Sequence, residues 1–342
     1  MKGQEFSVSE DVITLSHGSG GLVSRELINN VFVKKFSNAA LSRLDDFANV
    51  GKVGGNLIFT TDSYVIDPIF FPGGDIGKLS VCGTINDICM SGAIPLFISV
   101  GLIIEEGFLI EDLLKISRSM AATARRSGVR IVCGDTKVVD RGKADKIFIN
   151  TAGIGKIDGS PIYGSGAMPG DAVIVSGFVG DHGVSILSRR SGLEFSTSLK
   201  SDCAALDGLV KDIIEFKNDI HAMRDPTRGG IATLLNEVAK QSGVSVFIDE
   251  KDIPIRQEVN AACEMLGLDP LYLANEGKLV VFADKRVATE VLSLMRKNKL
   301  GKDAANIGEV TDMIPPRVYC RTQLGTTRLL DMLSGEQFPR IC

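Results

Sequence analysis

Tryptophan is absent from this 342-residue chain, and histidine occurs only three times, as His17, His182 and His221. The first absence removes the largest platform for stacking bases or sugars. The second, with seven scattered cysteines and no Cys-x-x-Cys, leaves no local ligand set for zinc or an iron–sulfur cluster. There is no basic excess: 38 Lys and Arg face 42 Asp and Glu, a net charge of -4, which excludes the electrostatic footprint of a nucleic-acid binder. Long apolar runs are missing as well. Residues 94–104 form the longest, interrupted by Gly101, and are too short to span a membrane. The polar start has no apolar leader segment, so a reduced, cytoplasmic protein is expected. Two nucleotide signatures are lacking, the G-x-x-x-x-G-K-[ST] loop and a G-x-G-x-x-G after a strand, which argues against P-loop and Rossmann sites.

Glycine is in excess, 37 residues or about 11% against a usual ~7%. With only 11 prolines and no low-complexity run, these glycines read as tight turns in a folded enzyme. The length predicts two domains. A glycine-rich loop, Leu15-Ser16-His17-Gly18-Ser19-Gly20-Gly21, opens into a helix whose apolar residues are Leu22, Val23, Leu27, Ile28, Val31 and Phe32. A strand over 57–61 ends at Asp62, Asp75 caps a helix running to about residue 90, and a strand follows over 96–104. An amphipathic helix over 111–127 leads to a strand over 129–133 that ends in Gly134-Asp135-Thr136-Lys137, and another strand covers 146–154. The turn-rich passage 155–170 marks a domain boundary. Beyond it, strands over 171–176, 244–248 and 279–283 interleave with helices over 202–216, 231–241, 258–266 and 286–298. The expected fold is α/β (α+β): two mixed-sheet α/β domains and a C-terminal tail. The proposed divisions are 1–40, an arm with the glycine loop and a helix; 41–158, an ATP-binding and dimerisation domain; 159–322, a second α/β domain; and 323–342, a mobile tail.

The chemistry-bearing residues are mostly carboxylates at element ends: Asp46, Asp62 and Asp135, with Asp87 mid-helix between Ile85 and Ile88. Turn and cap roles account for any one of the first three. Asp87 is different, because a carboxylate in an apolar helix needs a partner. Magnesium is a natural one, since it takes hard oxygen ligands and bridges to phosphates. Lys137 reads either as an exposed loop lysine or as a phosphate contact. In Arg224-Asp225-Pro226-Thr227-Arg228-Gly229-Gly230, Asp225 or Thr227 can cap the helix that follows, and the two arginines beside a helix N-terminus suit an anion. Glu276, in Asn275-Glu276-Gly277, is either ordinary surface or a base at a strand mouth. Cys342 is the last residue, behind Pro339-Arg340-Ile341. It is not a prenylation box, and a thiolate is the only strong nucleophile such an arm can carry. Extended, the stretch beyond Gly335 reaches about 25 Å.

Together these motifs, with Thr61-Asp62-Ser63, Asn86-Asp87 and the terminal Pro339-Arg340-Ile341-Cys342, closely resemble the HypE family, the carbamoyl dehydratases of nickel–iron hydrogenase maturation. The resemblance covers essentially the whole chain, and its terminal motif is the most specific part. Related ATP-using enzymes, such as aminoimidazole ribonucleotide synthetase, selenophosphate synthetase and thiamine-monophosphate kinase, lack that terminal motif. The resemblance implies an enzyme with ATP and Mg2+, a homodimer formed through the first domain, the carbamoyltransferase HypF loading a carbamoyl group onto Cys342, and dehydration of that group to a thiocyanate. It further implies transfer of cyanide to iron on the HypC–HypD complex. It assigns Asp46, Asp62, Asp87 and Asp225 to magnesium or the phosphates, with Asp135 nearby, and Gly18, Ser19, Gly20 and Gly21 to a phosphate lid. Thr227 and Arg228 join the nucleotide contacts, and Lys137 and Glu276 take the proton from the carboxamide nitrogen. Two other readings are a small-molecule kinase of the same superfamily and a thiol carrier without chemistry of its own.

Overall fold

The computed structural model describes residues 11–19, 21–44, 48–190, 198–313 and 316–332. Two sheets organise them. The first contains β1 (Asn56–Tyr64), β2 (Ile94–Glu105), β3 (Arg130–Val139) and β4 (Ile147–Ile157), in the order β1-β4-β2-β3. β4 runs antiparallel to both β1 and β2, while β2 and β3 are parallel. The second is seven-stranded: β5 (Asp171–Val175), β6 (Ile220–Arg224), β7 (Ser245–Asp249), β8 (Val280–Asp284), β9 (Ala305–Thr311), β10 (Val318–Arg321) and β11 (Thr327–Leu329), in the order β11-β10-β7-β9-β5-β8-β6. β5 is buried at all five positions, so its Ala172-Val173-Ile174-Val175 run does not alternate.

Helices cover these sheets: α1 (Gly21–Leu27), α2 (Ile76–Met90), α3 (Ile110–Arg126), α4 (Asp181–Leu187), α5 (Asp207–Ile213), α6 (Gly230–Ser242), α7 (Gln257–Leu266) and α8 (Ala288–Lys297). α2 is the pivot. Its N-cap is Asp75, whose carboxylate accepts from the N–H groups of Gly77 and Lys78 at 2.8 and 3.1 Å. It has almost no polar face and is buried nearly all round, against β1, β4, α3 and α5. One apolar core therefore runs from Leu79 and Ile85 of the first half to Leu206, Leu209 and Ile213 of the second.

Four expectations need correcting. β1 continues through Tyr64 in register with β4, so Asp62 lies within the strand rather than at its end. β3 pairs with β2 as far as Val139, so Asp135 and Lys137 are strand residues on one face, not a loop at the strand mouth. The helix expected from residue 202 starts only at Asp207, because the Asp202–Leu206 backbone and side chains are bonded to other elements. Leu22 and Val23 are exposed, not core. The first turn of α1 rests mainly on the short Leu15–His17 turn, and the widened Ile28–Val33 segment carries the burial at Val31 and Phe32.

Candidate active site

Elements from both halves converge on one small cavity of about 30 Å³, lined by Asp62, Ser63, Tyr64, Gly83, Asp87, Asp225, Thr227, Arg228 and Glu276. β1 presents Asp62 and Tyr64, and α2 presents Gly83 and Asp87 one turn apart. Asp225 to Arg228 form the link between β6 and α6, and Glu276 sits in the turn before β8. That turn is held by Asn275, which is 1% exposed. Its amide nitrogen donates to the Pro226 carbonyl at 3.1 Å and its oxygen accepts from Gly180 N–H at 2.8 Å. The loop bearing Glu276 is thus fixed to the loop bearing Asp225.

The electrostatics of this cluster are those of crowded acids away from water. Burial first, then the charge of Asp62, lifts the Asp87 carboxyl, against a hydrogen bond that Thr60 Oγ1 donates to it at 2.8 Å. Asp225 is pushed up to about 7, by burial first and then by Asp87. Glu276 is 2% exposed and is raised well above the carboxylate range, by burial first and then by Asp202 and Asp225. Among the described residues its Oε1 has no hydrogen-bond partner. Tyr64 is raised too, by burial and then by Asp62. The cationic counterweight is small: Arg228 stands 3.7 Å from Asp62 and is largely exposed, while Arg224 is paired with Glu237 at 3.0 Å.

Capping does not account for Asp225 or Thr227. The N-cap of α6 is Gly229, at φ +70°, with no side-chain cap bond. The surface reading of Glu276 is likewise excluded by its burial. Thr60, Tyr64 and Gly83 were not singled out from the sequence. Their signal was spacing alone: Tyr64 shares Asp62's face of β1, and Gly83 lies one helical turn before Asp87.

The glycine loop and Lys137 lie elsewhere. His17, Gly18, Gly21, Gly134, Asp135 and Lys137 line a cavity of about 490 Å³ that shares no lining residue with the Glu276 cavity. Lys137 pairs with Asp135 at 3.0 Å, both exposed. Gly18 approaches β3 so closely that a Cβ would run into the backbone of Val138, so the loop is packed rather than loose. Ser19 donates to the Ser16 carbonyl at 3.2 Å. Gly20, Asp46 and Cys342 lie outside the described residues.

Among the described residues, no group of three or more His, Cys, Asp or Glu side chains is closed around a metal position, and no helix is long and apolar enough to cross a membrane. The six cysteines among them are unpaired.

Comparison with known proteins agrees with this architecture. Residues 38–157 match the AIR synthase related protein N-terminal domain and residues 168–319 its C-terminal domain. The carbamoyl dehydratase HypE of Cupriavidus necator is 50% identical over 339 residues, 98% of this chain and 97% of that protein. A crystal structure of the hydrogenase maturation protein HypE in complex with ATP superposes with a TM-score of 0.92 at 48% identity, covering 96% of this chain and 99% of that one. The crystal structure of a HypE–HypF complex gives a TM-score of 0.79 at 47% identity, covering 90% and 99%. A cavity of converging carboxylates built by two AIR-synthase-type halves, with half of all residues shared along the full length, places the chain in the AIR synthase related family, among the HypE carbamoyl dehydratases.

Proposed function

We propose that this protein uses ATP to dehydrate a carbamoyl group carried on its own Cys342, yielding a thiocyanate that supplies cyanide to hydrogenase iron. The observation that carries this is the convergence of Asp62, Asp87, Asp225 and the deeply buried Glu276 on one cavity, in a chain that resembles a HypE crystallised with ATP. The carboxamide oxygen attacks the γ-phosphorus, and ADP leaves. The nitrogen gives up its protons, the O-phosphate departs as inorganic phosphate, and a carbon–nitrogen triple bond remains on sulfur. Phosphorylation turns a poor leaving group into a good one, so the protein's tasks are to place the charges and to take a proton.

Glu276 suits the proton task. A buried carboxyl held above its usual range and without a hydrogen-bond partner on Oε1 is a basic acceptor once a cation and substrate fill the cavity. Asp62, Asp87 and Asp225 fit magnesium, because they converge on one cavity where burial and neighbouring acids raise the Asp87 and Asp225 carboxyls; the family resemblance adds Asp46 to that set. A magnesium ion held there would supply positive charge to offset these acids and the triphosphate. Thr227 and Arg228 border the phosphates, and the loop of Gly18, Ser19, Gly20 and Gly21, beside Lys137 in the other cavity, covers them from the second copy of the chain.

The protein works as a homodimer joined through the outer face of the first sheet. Phe59 is 68% exposed there, and Leu57 and Ile103 are exposed as well. Lys137 belongs to that face: it pairs with Ile103 across β2, and Asp135, Gly101, Asn150 and Ser63 form one row across all four strands. Dimerisation brings Lys137 of one copy to the Glu276 cavity of the other, which explains why a single chain keeps them apart. HypF loads Cys342 and the HypC–HypD complex receives the cyanide, in the cytoplasm.

The test is mass spectrometry of the C-terminal peptide after incubation with HypF, carbamoyl phosphate and ATP. Wild type should first gain a carbamoyl group and then lose the mass of one water. Cys342→Ala should gain nothing. Glu276→Gln should be carbamoylated, bind ATP and dehydrate about 10²–10⁴-fold more slowly. Dehydration of the glutamine variant at the wild-type rate would remove Glu276 from the mechanism.

A further inference from the structure

The peptide that carries Glu276 is gripped at both ends by side chains that do not line its cavity. At its N–H, Asp202 accepts a hydrogen bond through Oδ1 at 3.0 Å. Its carbonyl is met by the Ala204 N–H at 3.3 Å and by the amide nitrogen of Asn86 at 3.4 Å. Asn86 also donates to the Ala204 carbonyl at 3.1 Å and accepts from Leu206 N–H at 2.8 Å through its oxygen. It is 1% exposed, so α2 spends a buried polar side chain on the 202–206 segment and on the Glu276 peptide bonded to it. On the next residue, Gly277, a Cβ would collide with the Asp202 carbonyl, so the two segments are packed in direct contact.

Asp202 is held in turn. Its other oxygen lies 3.2 Å from the Lys278 ammonium, and both side chains are buried. Asn86 and Asp87 are consecutive on α2, so one helical turn carries both a cavity carboxylate and the amide that seats Glu276.

We infer that Asp202 and Asn86 are positioning residues that fix the Glu276 carboxylate at a set distance from the Asp87 side of the cavity. The inference deepens the base reading of Glu276 and rests on it. Neither residue lines the cavity. Their effect is on where the base stands, and a displacement of about 1 Å costs on the order of 10²-fold in a proton-transfer step. Asp202 places the peptide through its hydrogen-bond acceptor; its charge acts separately on Glu276, and both test variants below remove that charge.

Two double variants separate these contributions. Asp202→Asn/Lys278→Met and Asp202→Ala/Lys278→Met both abolish the buried ion pair, and only the first keeps an acceptor for the Glu276 N–H. Each is carbamoylated by HypF and mixed with excess ATP, and the loss of water is followed in a single turnover, with ATP affinity measured alongside. The alanine pair should dehydrate about 10²-fold more slowly than the asparagine pair, at equal ATP affinity. Asn86→Ala should fall in the same direction, and it supplies the readout from the other end of the peptide should the alanine pair fail to fold. Equal rates in the two double variants overturn the inference. So does a parallel loss of ATP affinity in the alanine pair, because the damage then reaches the whole cavity. Glu276→Gln is run beside them: if it dehydrates at the wild-type rate, the base reading falls, whatever the clamp variants do.

Discussion

At the scale of single residues, burial outweighs pairing in this protein. Asp181 shows it away from the catalytic cavity. It is 5% exposed and accepts from Arg256 Nε at 3.1 Å, with that guanidinium 4.0 Å from the Phe178 ring, yet burial lifts its carboxyl to about 6 against the pull of the arginine. The folded state therefore keeps the proton up to about pH 6, and the unfolded chain only to about 4. Stability from protonated Asp181 is complete below about pH 4 and is lost as the pH rises through 6, by at most about 3 kcal/mol. Asp181→Asn should remove this loss. Urea unfolding at a series of pH values should show the variant gaining on wild type between pH 4 and 7. A constant difference across that window would contradict the assignment. Burial likewise raises Glu276, whereas Asp135 and Lys137, both exposed, pair with each other at the surface of one chain.

Among the elements, α2 does the most. It is capped by Asp75, packed on both halves, and carries Gly83, Asn86 and Asp87 on neighbouring positions. Gly83 has no special backbone angle; it is small because Tyr64 Oη occupies the place a Cβ would take. Gly83→Ala should destabilise the fold despite alanine's helix propensity gain of about 1 kcal/mol, because overpacking of this kind costs about 1–3 kcal/mol. It should also weaken ATP binding by moving Asp87. Thermal unfolding and calorimetric titration check both, and a variant more stable than wild type would show that the tyrosine yields freely. This helix was expected from the sequence, cap and carboxylate included. Its burial on all sides was not, since a helix of this composition offers no amphipathic stripe to show which way it faces.

For the whole molecule, Lys137 and Glu276 line different cavities of one chain. If dimerisation unites them, complementation follows. Co-expressed Lys137→Met and Glu276→Gln chains form mixed dimers in which one site regains both wild-type residues. Such mixtures should recover up to about half the wild-type dehydration per mixed dimer, while each homodimer stays slow. No recovery in purified mixed dimers would place Lys137 and Glu276 in the same chain's site.

The sequence by itself determined the fold class, the two-part organisation, most helices to within a residue or two, and the residue types that suit phosphoryl chemistry, because these follow from local periodicity, caps and spacing. It also pointed to Asp87, since a charge inside an apolar helix is conspicuous without any coordinates. Only the tertiary structure decided which carboxylates meet, that Glu276 is buried, that β3 runs on past Asp135 to Val139, and that Asn86 and Asp202 hold the peptide of Glu276. Those facts depend on contacts between residues as far apart as Asn86 and Glu276, and local pattern carries no information about which distant loops a buried amide or carboxylate will find.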